Sequence, residues 1–142
     1  MAKSMSEYNT LNRYSSFAPE REKNICKWYI DGYNYFFDLY NSLHEALNEI
    51  FITDWWLSPD LYLTRPIDKD SKTIYEIFSE LSNRNVKIYI ILYRESTIAL
   101  SMNSLYTKDK LMLNNKNIFI LRHPKTTIPF LWSHHEKMLI ID

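Results

Sequence analysis

The sequence predicts an α/β fold: an α-β sandwich on a largely parallel or mixed sheet. Three observations predict it. Short β-rich runs alternate with stretches of helical periodicity, the order that lays helices across a mostly parallel sheet. The run Val86–Tyr93 is apolar almost throughout, as a strand buried on both faces would be. At 142 residues, 46% hydrophobic and 24% charged, the chain suits one soluble core and is too short for two of ordinary size.

Residues 1–22 are polar, broken by Ser15-Ser16 and Pro19, and read as an irregular lead-in. The folded unit is expected over 23–142. Lys27-Trp28-Tyr29-Ile30 reads as a short strand stopped by the turn signal Asp31-Gly32. Phe36, Leu39, Tyr40, Leu43, Ala46 and Leu47 recur at helical spacing, predicting a helix over Tyr33–Asn48. Glu49–Trp55 follows as a strand, which Ser58-Pro59 breaks. Leu57–Lys72, with two prolines, reads as a surface loop. Ile74, Ile77, Phe78 and Leu81 mark a second helix ending near Asn83–Asn85, before the strand Val86–Tyr93. A shorter helix over Thr107–Leu113, a strand over Asn117–Leu121, a loop carrying Pro124 and Pro129, and a terminal strand complete the order. Gly32 is the only glycine, so Asn and Asp must serve many turns.

Charge narrows the function. Seventeen basic and seventeen acidic residues cancel, and no basic stripe marks a polyphosphate binder, which weakens a nuclease reading. Cys26 stands alone, which fits a reducing compartment and a small buried apolar residue rather than a reactive thiol. No window approaches the roughly 18 consecutive apolar residues of a bilayer span, and the start lacks the apolar core of a secretion signal. These features lead us to expect a cytoplasmic protein that meets membranes from their surface.

The chemistry gathers in His135-x-Lys137-x-x-x-x-Asp142. On an extended strand, side chains two residues apart share a face roughly 6.5 Å apart, so His135 and Lys137 can approach one phosphoryl group together. Asp142 has the opposite parity and can join them only where the strand bends or ends. A neutral His135 can attack phosphorus to form a phosphohistidine. Lys137 would neutralise the non-bridging oxygens, and Asp142 would orient the ring or stabilise its charge. A second acid is still required to protonate the leaving alkoxide. His44, His123 and His134 have no Lys two residues on, so none is a second copy, and His134 is expected to face away from His135 in a structural or solvent-facing role. Trp55 and Trp56 can wall a quaternary ammonium, at roughly 0.5–2 kcal/mol, or pack the top of the sheet, the reading we favour. Asp54 can position active-site groups or cap the next segment. Lys108 and Lys110 read as a solvated helix face.

Several ordered blocks carry a resemblance. Tyr14–Arg21, Cys26–Gly32, Ile50–Pro59, Arg65-Pro66, Val86–Tyr93, Asn103-Ser104, Leu121–Pro124 and Leu131–Asp142 together resemble the eukaryotic phospholipase D family, over roughly residues 13–142. The resemblance implies one half of a two-lobed fold in which each α/β half gives one His/Lys/Asp motif to a shared site. It implies hydrolysis of phosphatidylcholine to phosphatidic acid and choline, and phosphatidyl transfer to primary alcohols, with no catalytic metal and no cofactor. His135 would be the nucleophile, Lys137 the phosphate binder, Asp142 the supporting carboxylate, and Trp55, Trp56 and Asp54 substrate-binding residues. Because only the first motif is present, a second catalytic half or a homodimer partner is expected, at a membrane surface. A non-catalytic partner or membrane-surface module is the alternative, with a nucleic-acid phosphodiesterase behind both.

Overall fold

The computed structural model describes residues 21–95, 102–123 and 133–142. Among these residues, three helices and four strands follow the order α1 (Gly32–Glu45), β1 (Glu49–Asp54), α2 (Ile74–Asn83), β2 (Lys87–Leu92), α3 (Ser104–Met112), β3 (Ile118–Arg122) and β4 (Met138–Ile141). The strands form one mixed sheet in the order β3-β2-β1-β4. β1, β2 and β3 run parallel, joined through α2 and α3, and β4 returns antiparallel to β1. The α/β arrangement expected from the sequence is therefore present.

Each helix begins where a side chain accepts its free N–H groups. Thr73 and Glu76 form a reciprocal capping box at α2, Asn103 caps α3 through Tyr106 N, and Asp31 caps α1 through Tyr33 N. The turn at Asp31-Gly32 is thus a helix start. Among the described residues Asn85, Asn103, Asn114, Asp31 and Asp142 take positive φ, as does Lys23, whereas Gly32 does not, so asparagine and aspartate supply most of the positive-φ positions of this glycine-poor chain.

All three helices lie against one face of the sheet. Ile50, Ile52, Ile88, Ile90, Leu92, Ile118 and Ile120 point into that layer and meet Leu43, Ile77, Phe78, Leu81 and Leu111. Arg84 locks α2 to the end of α1 by donating to His44 O and Ala46 O. The long β1–α2 loop is anchored, with Leu63 and Pro59 buried and Ile74 N donating to Leu61 O.

Several expectations change. β2 alternates buried and exposed residues instead of being buried on both faces, because the helices cover one side only. The other side is an apolar surface. Phe51, Tyr89 and Phe119 stack across three strands at centroid spacings of 5.1 and 5.2 Å, flanked by exposed Ile91, Leu121, Met138 and Ile140. Residues 27–30 form no strand; with no partner edge among the described residues, Trp28 and Ile30 stand almost fully exposed. Cys26 is exposed there rather than buried. Lys110 is not simply solvated: it pairs with Asp60 and Tyr106 and holds Asp60 below its ordinary pKa. The expected lead-in, apart from residues 21 and 22, and the loop with Pro124 and Pro129 lie outside the described residues.

Candidate active site

The carboxyl ends of parallel strands are where loops converge and ligands bind in open α/β sheets. Here β1 delivers Asp54, Trp55 and Trp56 to that edge, β2 delivers Glu95, and β3 delivers Arg122 and His123. Residues 133–137 cross the same edge before entering β4. His135 and Lys137 therefore precede the strand expected to carry them.

Their tips nonetheless meet. Lys137 Nζ lies 2.9 Å from His135 Nδ1 and 3.2 Å from Nε2, and donates to His135 O at 2.8 Å. The contact is closer than strand spacing alone allows, because the irregular backbone lets both side chains fold over one support. That support is Trp55. Its ring lies 4.9 Å from the His135 ring at 45°, and Lys137 Nζ sits 5.5 Å above its centroid. Both His135 and Lys137 are exposed, so an anion can reach them from solvent.

Trp55 is half-buried and its Nε1 is enclosed without a hydrogen-bond partner among the described residues. With an ammonium already over its indole, that face is not open to a choline cation. Trp56 stands in a T-shaped contact with Trp55 and is more than half exposed. Asp54 turns back on its own loop, accepting from Trp56 N at 3.1 Å, the capping option rather than a contact with the pair. A cavity of about 310 Å³ lies beside them, lined by Phe36, Leu39, Ile52 and Phe78 together with Trp56 and Lys137.

Asp142 does not join the pair. Its carboxylate accepts from Leu47 N, Asn48 N and Glu49 N at 2.6–2.9 Å. The N–H groups of Glu49, Leu47 and Asn48 hold its pKa below the ordinary 3.8. These groups lie at the start of β1, whereas His135 lies over Trp55, just past its end. Six residues of strand, about 20 Å, separate them. The length and direction of β4 are the physical reason: running antiparallel to β1, it carries Asp142 to the far end of that strand, where it pins β4 to the α1–β1 link instead of orienting the imidazole.

Two features went unread in the sequence. His134 stacks on His123 with ring centroids 5.7 Å apart and planes within 4°, so it packs at this edge while its neighbour stays exposed. Glu95 is buried, accepts from Ser104 N, and faces Arg122, whose Nε donates to Ser104 Oγ. Burial works to raise the Glu95 pKa, but Ser104 and Arg122 outweigh it and hold the carboxyl below its ordinary value. The Asn103-Ser104 and Arg122-His123 pairs were legible as blocks of resemblance, not as contacts. Among the described residues no group of three His, Cys, Asp or Glu is placed to hold a metal, and no helix is long and apolar enough to cross a membrane.

No family model matches the chain. It is 42% identical to phospholipase D1 of Homo sapiens over 134 residues, covering 92% of this chain and 12% of that protein. It is 41% identical to phospholipase D zeta 2 of Arabidopsis thaliana over 138 residues, covering 92% of this chain and 13% of the relative. Phospholipase D1 of Saccharomyces cerevisiae is 38% identical over 134 residues, again covering 92% of this chain but only 8% of its own length. The chain thus spans about a twelfth to an eighth of these curated relatives. Across nearly its whole length, the chain belongs to the phospholipase D family.

Proposed function

We propose that the chain supplies the first catalytic half of a phospholipase D that hydrolyses phosphatidylcholine at a membrane surface. The observation that carries this reading is the meeting of His135 and Lys137 over Trp55 at the open carboxyl edge of the sheet. A ring nitrogen of His135 attacks phosphorus and the bond to the choline oxygen breaks, leaving phosphatidyl on the histidine. Lys137 turns from the imidazole to the non-bridging oxygens as charge builds there. Choline leaves after taking a proton from an acid in a second half. The same group then draws a proton from water, which attacks the phosphohistidine and releases phosphatidic acid. A primary alcohol in place of water gives a phosphatidylalcohol.

Two further observations support it. The apolar cavity beside Lys137 suits the hydrocarbon end of a lipid diester better than a nucleic acid. The aromatic sheet face that the described residues leave exposed is of the kind that an obligate partner buries, either a second α/β half or another copy. The same face would serve a non-catalytic partner that pairs with a longer phospholipase D.

The test combines the 142-residue chain with a polypeptide carrying a second His-x-Lys-x-x-x-x-Asp motif, and follows choline release from phosphatidylcholine vesicles and phosphatidylalcohol formation in primary alcohol. Activity that disappears with His135→Asn is expected. Binding without turnover would favour the non-catalytic reading, and neither binding nor turnover would overturn both.

A further inference from the structure

We propose that Trp55 is a positioning residue: its indole face assembles the His135–Lys137 pair within this half alone, before any second half docks. The inference rests on the catalytic reading above and adds to it the device that sets the geometry. Residues 133–137 belong to no helix or strand, and β4 begins only at Met138. Two side chains on such a segment would sample many rotamers, and lysine has the most freedom to lose. Something rigid has to hold them.

Trp55 is rigid. It follows β1 directly, and its neighbour Asp54 is tied on both sides, with its carbonyl accepting from Tyr93 N and its carboxylate from Trp56 N. The indole packs under the imidazole and draws the ammonium to its negative face. A neutral aromatic face suits this task, because a carboxylate there would bind Lys137 tightly and keep it from a phosphate. Both contacts are made by the aromatic ring itself. Phenylalanine should therefore replace Trp55, and leucine should not.

Nuclear magnetic resonance of the isotope-labelled 142-residue chain tests this without any turnover. Indole-to-imidazole contacts and upfield-displaced His135 ring protons are expected in the wild type. They should persist with a phenyl ring in Trp55→Phe, and Trp55→Leu should lose both them and the His135–Lys137 contacts. Absence of the indole contacts in the wild type overturns the proposal, whether or not any variant folds. So does an unchanged His135–Lys137 contact in a folded Trp55→Leu chain.

In the two-half enzyme, Trp55→Leu should lower kcat by about 10²-fold, the scale of a 1 Å misplacement, with KM changed less than about twofold. Trp55→Phe should stay close to wild type. Equal losses in the two variants would refute the positioning role. Intact contacts in a chain that never turns over lipid would instead refute the catalytic reading and leave the platform in place.

Discussion

Ile90 and Ile91 are adjacent on β2, and the same substitution in each measures whether the sheet is covered on one side or two. Ile90 is 1% exposed between Ile52 and Ile120, under the helices; Ile91 is 39% exposed on the aromatic face. Ile90→Ala removes buried methylenes and leaves a cavity in a layer that cannot collapse onto solvent, costing about 3–4 kcal/mol. Ile91→Ala removes surface already partly in water and leaves no closed void, costing roughly 1 kcal/mol. The difference, about 2–3 kcal/mol, should appear in urea unfolding of the 142-residue chain as a much lower midpoint for Ile90→Ala at similar slope. In melting temperature it corresponds to a gap of roughly 6–12 °C. Equal costs would mean that the aromatic face is already covered, and the argument for a missing partner would fail. Adding the partner should raise the cost at Ile91 and leave that at Ile90 unchanged.

Thr73→Ala removes the hydroxyl arm of the capping box at α2, while the N–H of residue 73 can still donate to Glu76, and should cost about 1 kcal/mol in the same unfolding assay. Asp142→Asn should lower the melting temperature while leaving the His135–Lys137 contacts intact, since the carboxylate anchors Leu47, Asn48 and Glu49 rather than the imidazole; loss of those contacts would refute the anchoring role. Glu95 has a folded pKa below its ordinary 4.5, so its contribution is fully present above that value and is lost as pH falls through the folded one. Glu95→Gln should therefore flatten the acid limb of stability measured from pH 5 downward, and an unchanged limb would show that Ser104 and Arg122 do not stabilise the charge.

What was legible follows from what is local. Helices α1 and α2 could be placed because apolar spacing repeats within a few residues, as at Ile74–Leu81; α3 was expected from Thr107 but starts at Ser104, where the Asn103 cap was not read. Strands β1, β2 and β3 were legible from branched and aromatic runs. Coverage of a strand's second face is not local, so the apolar run at β2 could not reveal that its odd-numbered side chains face open space. Residues 27–30 have strand composition but no neighbouring edge among the described residues, and composition without a partner does not make a strand.

At the site, the parity of Asp142 already set it apart from His135 and Lys137, although its partners 93–95 residues back in the chain could not be read. The Trp55–His135 contact joins residues 80 apart in sequence. Its signal, an aromatic pair at a strand end, suggested packing on the top of the sheet, or a wall for a ligand, rather than a support for the motif. His134 was readable as out of frame, but its stack on His123 depends on the end of β3 reaching the same edge.

A nucleophilic His135 becomes covalently phosphatidylated during turnover. Quenching the assembled enzyme during turnover of phosphatidylcholine carrying a labelled phosphate, and then mapping label by mass spectrometry, tests it directly. An alkali-stable, acid-labile adduct on His135, absent from His134 and His123 and abolished by His135→Asn, is the predicted result. Turnover with no adduct on His135, or turnover that survives His135→Asn, would contradict it.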